Sequence, residues 1–310
     1  MKVAVLKGGR SLERGVSLRS GARVADALER LGHDVVALDV GGDLVERLEL
    51  ERPDVAFVAM HGVGGEDGTA QELLEILDIP FTGPGAAACA RCMDKSLAKH
   101  AIREAGLPTP NWFAFSQTAF RELGAADALG RLEPSLGFPL VVKPSRGGSS
   151  LGVKFAAGAD EVPQALVSAF SYDDRVLLER FVDGRELAVS VLGDQALPIV
   201  EAIPAQGDSY DFEARYEIGR TRFICPAELS EAEEVAVTEA ALDTYRALGC
   251  SGFARVDLIL AAGGPQVLEA NAIPGLTDTS LLPQAAEAAG MSFEQLVERI
   301  LDLALNPAAA

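Results

Sequence analysis

Two short segments near the C-terminal end carry polar residues at a spacing that could do chemistry. Phe253-Ala-Arg255-Val-Asp257-Leu-Ile-Leu260 sets Arg255 and Asp257 two apart, and Glu269-Ala-Asn271-Ala-Ile-Pro274-Gly275 does the same for Glu269 and Asn271. On an extended strand, residues two apart face the same way. The Ala-Ala-Gly-Gly-Pro run at 261–265 between them is turn chemistry. The pair predicts a hairpin with two carboxylates, a carboxamide oxygen and a guanidinium on one face. Oxygen ligands suit a hard cation such as Mg²⁺, which binds one or two carboxylates together with a substrate's phosphates. The expectation is a metal–nucleotide site rather than a solvated surface hairpin.

Gly147-Gly-Ser149-Ser150-Leu-Gly152 has the composition of a phosphate-cradling loop. Small residues let backbone N–H groups close on oxygens, and hydroxyls add donors. It is not a Walker A loop, since Val153 follows where Lys-Ser/Thr would stand. A flexible hairpin tip has the same composition. Lys143 favours the phosphate reading, because it ends the strand that feeds the loop and can meet phosphate oxygens there. Gly62-Val-Gly-Gly-Glu-Asp-Gly68 is not a dinucleotide fingerprint, as Asp67 holds the third-glycine place. His61 and Glu13 each follow a predicted strand, and ligands in open α/β sheets gather outside such carboxyl ends. The two are expected to face one crevice. Asp208–Tyr216 holds two tyrosines, a phenylalanine and an arginine in a long polar loop, a pattern that favours a lid over a linker.

These groups need elements to hold them. Val3–Leu6, Val35–Val40 and Val55–Met60 read as strands, separated by helical spacing at Leu18, Ala22, Ala25 and Leu28 and followed by Leu73, Leu74 and Leu77. Strands alternating with helices predict a βαβ lobe over 1–94. A helix at 94–105, strands at 139–143, 153–155 and 176–180 and a helix near 160–170 predict a small α+β lobe over 95–182. Strands at 186–192 and 196–203, a helix at 231–248, the opening hairpin and a helix at 292–304 predict a third lobe over 183–310.

Composition narrows the function classes. With 46 acidic against 27 basic residues, the net charge of −19 argues against a non-specific nucleic-acid or anionic-membrane binder. No run approaches the roughly 20 apolar residues that span a bilayer, and the first residues are too short an apolar run for a secretory signal, so a cytoplasmic protein is expected. The four cysteines are too few and scattered for a disulfide framework. Cys89-Ala-Arg-Cys92 lacks a second pair or matched histidines and reads as buried helical thiols.

Seven motifs in order carry a family resemblance: Gly-Gly-x-Ser-x-Glu-x-x-Val-Ser at 8–17, His-Gly-x-x-Gly-Glu-Asp-Gly at 61–68, Met93-Asp94-Lys95, Lys143-Pro-Ser-Arg-Gly-Gly-Ser-Ser150, Tyr210-Asp-Phe-Glu-Ala-Arg-Tyr216, Gly249-Cys-Ser-Gly-Phe-Ala-Arg-Val-Asp257, and Glu269-Ala-Asn-x-x-Pro-Gly-x-Thr-x-x-Ser280. Together they resemble the D-alanine–D-alanine ligases of the ATP-grasp superfamily. The resemblance implies an ATP-grasp α/β architecture, a cytoplasmic homodimer, and ATP-dependent joining of two D-alanine molecules through an acyl phosphate, supplying peptidoglycan precursor. It implies that Asp257, Glu269 and Asn271 hold two Mg²⁺ ions, with Mn²⁺ as a substitute. Lys95, Lys143, Ser149, Ser150 and Arg215 would meet the nucleotide phosphates, and Glu179, Phe181, Val182 and Glu186 the adenine and ribose. Glu13 and His61 would hold the first D-alanine, Arg255 and Gly275 the acyl phosphate and oxyanion, and Ser280 and Leu281 the second D-alanine. Ser149 and Tyr216 would link to Glu13 and shut the lid. Arg215 stands where many relatives have lysine, Phe212 where tyrosine is common, and Gly15 where a second glutamate is frequent. The alternatives are a ligase joining D-alanine to D-lactate or D-serine, another ATP-grasp carboxylate–amine ligase making a different amide, and a nucleotide-binding module without activity.

Overall fold

The computed structural model describes residues 1–124, 129–204 and 221–306 and arranges them around three sheets. The first is parallel, in the order β2 (Asp34–Val40), β1 (Lys2–Gly8), β3 (Val55–Val58). Val3, Ala4, Val5 and Leu6 of β1 are fully buried in succession, as a parallel strand covered on both faces requires. Helix α1 (Arg14–Arg30) begins directly after Glu13, three residues earlier than its apolar spacing suggests. Helix α2 (Leu44–Glu51) was not expected, because it buries only Leu44 and Leu48 and so shows little periodicity. Helices α3 (Thr69–Ile76) and α4 (Ala86–Met93) follow β3.

Helix α5 (Lys95–Glu104) is capped by Asp94, whose carboxylate accepts from the backbone N–H of Ser96 and Leu97. The central sheet is antiparallel, in the order β4 (Trp112–Ser116), β7 (Arg175–Arg180), β5 (Leu140–Pro144), β6 (Lys154–Ala156). The Gly-Ser loop joins β5 to β6 as expected. Strand β4 is an addition to the sequence reading. It lies directly between the proline-rich connector and helix α6 (Gln117–Glu122) and has no flanking turn of its own. Helices α7 (Glu133–Leu136) and α8 (Val162–Ala169) complete this lobe.

The third sheet runs β11 (Thr221–Ile224), β10 (Val200–Pro204), β8 (Arg185–Leu192), β12 (Phe253–Ala261), β13 (Gly264–Asn271), with the short β9 (Gln195–Ala196) beside β8. The strand expected at 196–203 is split into β9 and β10 around Pro198, which has no N–H to give a ladder. Helix α9 (Glu231–Ala247) packs on this sheet behind a Ser230/Glu233 capping box, whereas α11 (Phe293–Leu305), behind a Ser292/Gln295 one, packs against α1 and β3 of the first lobe. Between β13 and α11 lies α10 (Leu281–Ala288).

One apolar core runs unbroken from the first lobe to the third, taking in Val24, Phe57, Ile102, Val256 and Ile300. The central lobe has its own core around Val142, Leu166 and Leu178. Each fully buried side chain of this size contributes about 1.5–3 kcal/mol relative to exposure. The first and third lobes thus make one packed body. The central lobe bears the Gly-Ser loop over a cleft in that body.

Candidate active site

The hairpin expected from the sequence forms with the register that chemistry needs. β12 and β13 pair antiparallel, with Arg255 opposite Asn271 and Asp257 opposite Glu269; a bulge follows at Asp257/Leu258. Directly opposed residues share a face, so all four side chains project together. Arg255 grips Asp257 with two parallel bonds, Nε to Oδ1 at 2.7 Å and Nη2 to Oδ2 at 2.8 Å. Asn271 Nδ2 donates to the same Oδ2 at 3.0 Å. Glu269 Oε2 lies 3.1 Å from Lys95 Nζ. Among the described residues no three of His, Cys, Asp and Glu gather at one point. An ion here would need the carboxamide and oxygens of a bound nucleotide as well, which is the way Mg²⁺ is commonly held. Two carboxylates on one face, with a carboxamide beside them, fit such an ion.

A cleft separates this face from the central lobe. Lys95, Lys143, Ser150 and Glu186 border it, as do Phe181 and Val182, and Asp257 and Glu269 form its floor. Val141, Phe155, Ile259 and Leu268 add flat apolar walls. Lys95 begins α5, and its Nζ donates to Gly147 O at 2.6 Å, so the loop backbone and Glu269 share one ammonium. Lys143, next to last in β5, donates to Glu179 Oε1 at 2.8 Å. Ser149 and Ser150 both take left-handed backbone, φ +54° and +57°, a conformation that non-glycine residues adopt at some cost and often where a site is built.

Glu179 is 2% exposed, and its second oxygen lies 2.5 Å from Lys99 Nζ. Burial would raise its carboxyl pKa, but Lys143 and Lys99 together outweigh burial and hold it below the usual carboxylate range. Burial pushes the Lys99 ammonium down to about 8, with Glu179 opposing and Lys143 and Arg103 adding to the fall. Sequence reasoning missed Lys99. The available signal was its place on the buried stripe of α5 with Ala98 and Ile102, where an unpaired ammonium would not be tolerated.

Beyond the Gly-Ser loop, Glu13 and His61 come from the segments that follow β1 and β3, neighbouring strands of the first sheet; Glu13 lines an open cleft beside Gly62, whereas the His61 ring is buried away from it. Glu13 is 7% exposed and accepts from Ser149 Oγ, which brings the first lobe and the central loop into contact. Gly62 and Gly148 press on the same carboxylate from the two sides: a Cβ at Gly62 would lie 2.7 Å from Glu13 Oε2, and one at Gly148 3.0 Å. His61 Nδ1 faces Glu66 Oε1 at 3.1 Å and Ile273 O at 3.0 Å, while Nε2 faces Ser20 Oγ at 2.9 Å. Two acceptors on Nδ1 assign it the proton, so Nε2 accepts from the Ser20 hydroxyl. Ser20 Oγ in turn accepts from Leu276 N–H at 3.2 Å.

This chain of bonds ties His61 to the 273–280 loop. Gly275 lies against Ser280, where a Cβ would stand 2.6 Å from Oγ. Ser280 precedes α10, its Oγ accepting from Thr277 N at 3.0 Å, and Leu281 opens the helix, buried. Arg23, also missed from the sequence, donates to Leu276 O at 3.1 Å and lies 3.0 Å from Asp278 and 3.7 Å over the Phe293 ring. Arg215 and Tyr216 of the expected lid lie outside the described residues. Cys89 and Cys92 are buried in α4, as expected; Cys92 Sγ is 3.6 Å from Cys250 Sγ.

Comparison with known proteins gives the family. The family model described as D-ala D-ala ligase C-terminus matches residues 101–302, and that described as D-ala D-ala ligase N-terminus matches residues 43–84. A D-alanine--D-alanine ligase from Synechococcus sp. (strain JA-3-3Ab) is 46% identical over all of this chain and 95% of its own length. The crystal structure of the Bacillus anthracis D-alanine--D-alanine ligase complexed with ATP superposes with a TM-score of 0.84, at 35% identity over 99% of this chain and 98% of that one. The D-Ala:D-Ser ligase from Enterococcus faecalis superposes with a TM-score of 0.82, at 28% identity over 98% of this chain and 99% of that one. The match over the whole chain settles the family: this chain belongs to the D-alanine–D-alanine ligase family, of ATP-grasp fold.

Proposed function

We infer that the protein joins two D-alanine molecules into D-alanyl-D-alanine, using ATP and releasing ADP and phosphate, as a step of peptidoglycan precursor supply. The observation that carries this reading is the convergence, across one cleft, of two lysines and a Gly-Ser loop with the Asp257/Glu269/Asn271 face, next to a buried glutamate at the strand ends. The three lobes are taken as 1–94 for the first substrate, 95–182 as the central ATP-grasp lobe, and 183–310 with the metal face. Among the described residues no helix is long and apolar enough to cross a membrane. A cytoplasmic homodimer that binds neither nucleic acid nor membrane is the setting we propose.

Glu13, held by Ser149, takes the ammonium of the first D-alanine, and His61 stands beside its carboxylate. A carboxylate oxygen of that D-alanine attacks the γ-phosphorus. The P–O bond to the acyl oxygen forms as the bond to the β–γ bridging oxygen breaks, and ADP departs. Lys95, Lys143 and the loop N–H groups at 147–150 face the triphosphate, and Phe181, Val182, Glu179 and Glu186 the base and ribose. Asp257, Glu269 and Asn271 would hold Mg²⁺, which neutralises charge on the phosphates. The free amine of the second D-alanine, received by Ser280 and Leu281, then attacks the acyl carbon and loses a proton. Arg255 and the Gly275 backbone face the oxyanion that forms, and phosphate leaves with the C–O bond. Arg215 and Tyr216 close the lid in this reading.

The test is phosphate release from ATP and Mg²⁺ with D-alanine, D-lactate, D-serine or L-alanine, with the product identified by mass. D-alanine-dependent release with a D-alanyl-D-alanine product is expected. Tyr216 favours that product over the depsipeptide by resemblance to the dipeptide-forming members. Faster turnover with D-serine or D-lactate as second substrate would assign the related activity. Nucleotide binding without release would make the protein a binding module.

A further inference from the structure

Lys143 and Glu179 border the nucleotide cleft; Lys99 does not. It is fully buried behind them, with Nζ 2.5 Å from Glu179 Oε2, 2.5 Å from Thr109 Oγ1 and 5.4 Å over the Trp112 ring. Thr109 Oγ1 donates onward to Val267 O at 2.8 Å, on the strand that carries Glu269 and Asn271. A fully buried lysine is a costly choice for a position flanked by Ala98 and Ile102 on the same stripe. Counting charge explains it. Lys99, Glu179 and Lys143 sum to +1 at the cleft wall. Without Lys99 the remaining pair sums to zero, and Glu179 would bind Lys143 with both oxygens.

We propose that Lys99 is a positioning residue for nucleotide binding: by neutralising one oxygen of Glu179, it leaves the charge of Lys143 available to the phosphates. This rests on the ATP-dependent reading of the cleft. Lys99 touches no substrate; it acts through Glu179. The charged groups facing it are Glu179 from β7, Lys143 from β5 and Arg103 from its own helix, and the last two add to the effect of burial in bringing its ammonium near 8. Loss of its proton would have the same consequence as loss of the residue. Affinity for the nucleotide should therefore fall as pH rises through about 8.

The experiment measures the dissociation constant of an unhydrolysable ATP analogue with Mg²⁺, from pH 6.5 to 9.5, with D-alanine omitted. Wild type is compared with Lys99→Met, which fills the same space. Removing one net charge several ångströms from a triphosphate in a partly buried cleft should weaken binding roughly tenfold or more. The variant is expected to bind roughly tenfold more weakly than wild type at pH 7 and to lose the decline near pH 8. A merely structural role would leave the pH profile in place. A folded variant that binds as tightly as wild type at pH 7, or that keeps the wild-type pH profile, overturns the proposal. If Lys99→Met does not fold, the wild-type profile decides: a constant flat across pH 8 overturns it. Wild type that binds the analogue but shows no D-alanine-dependent phosphate release would sink the ligase reading and leave this inference standing.

Discussion

Glycines on either side of Glu13 allow the first-substrate site proposed there to be perturbed by a single methyl group. A Cβ at Gly148 would sit 3.0 and 3.1 Å from the two Glu13 oxygens. An ordinary contact begins near 3.4 Å, so the carboxylate must retreat by about 0.4 Å from its place beside Ser149. Gly148 is outside the left-handed region, so alanine there adds no backbone strain and removes some freedom from the unfolded chain, worth about 0.4–1 kcal/mol. A hydrogen bond between charged groups contributes about 1.5–3 kcal/mol. Losing roughly half of one raises the D-alanine KM by about fivefold. Gly62→Ala combines a closer clash, 2.7 Å to Glu13 Oε2 and 2.9 Å to Ser11 Cβ, with φ of +74°. The left-handed conformation adds about 1–2 kcal/mol of strain for an L side chain, which lowers Tm by a few degrees. The assay is initial-rate phosphate release with D-alanine varied at saturating ATP, alongside thermal unfolding. Gly148→Ala should raise the KM of the first D-alanine with Tm unchanged or slightly higher, and Gly62→Ala should raise it further with Tm lower. An unchanged D-alanine KM in Gly148→Ala, or an equal rise in the ATP KM, would refute the placement of Glu13.

Three other outcomes follow from the same geometry. Glu269→Gln should cut turnover by about a hundredfold or more, since the metal clamp supplies several kcal/mol, with little change in stability at this partly exposed position. Asp257→Asn should cut it similarly and also cost about 2 kcal/mol of stability, because the buried Arg255 loses its bidentate partner; equal stability losses in both would show the carboxylates to be structural. Ser20→Ala removes the acceptor for Leu276 N–H and the donor to His61, so the KM of the second D-alanine should rise by about tenfold while nucleotide affinity holds; a shift in nucleotide affinity alone would contradict that role. Iodoacetamide on the native protein should label Cys225 and Cys250, both half-buried, well before Cys89 and Cys92. Burial pushes the Cys89 thiol up in pKa, and contact with Cys250, then burial, does so for Cys92. Early labelling of Cys89 or Cys92 on mass spectrometry would show that α4 is not packed as described.

The shared face of the β12–β13 hairpin was legible because its logic is local. Arg255, Asp257, Glu269 and Asn271 lie on two strands joined by a tight turn, and period-two spacing decides which way they point. Glu13 and His61 were legible as neighbours because each follows a strand of one parallel sheet, but the enclosure of the His61 ring by Ser20 and Ile273 depends on residues far along the chain and was not. Lys99 was not, since its meaning depends on Glu179 80 residues away, and a lysine on a helix ordinarily faces solvent. Ser20 and Arg23 escaped for the same reason: their partner, Leu276, is some 250 residues on. The third lobe's strand at 196–203 was drawn too long because apolar character continues through Pro198 although hydrogen bonding does not. Strand β4 was overlooked because Trp112–Ser116 runs straight into a helix capped by Ser116, with no turn residues to mark its end.

Phosphoryl transfer onto the first D-alanine can be followed by isotope. D-alanine carrying ¹⁸O in both carboxylate oxygens, turned over with unlabelled ATP and Mg²⁺, should release phosphate with one ¹⁸O for each dipeptide formed. The oxygen that bonded to phosphorus departs with it when the second amine displaces the acyl group. Dipeptide accompanied by phosphate bearing no label would mean that the carboxylate was never phosphorylated, and the shared site assembled from Glu13, Lys143 and the β12–β13 face would need another chemistry.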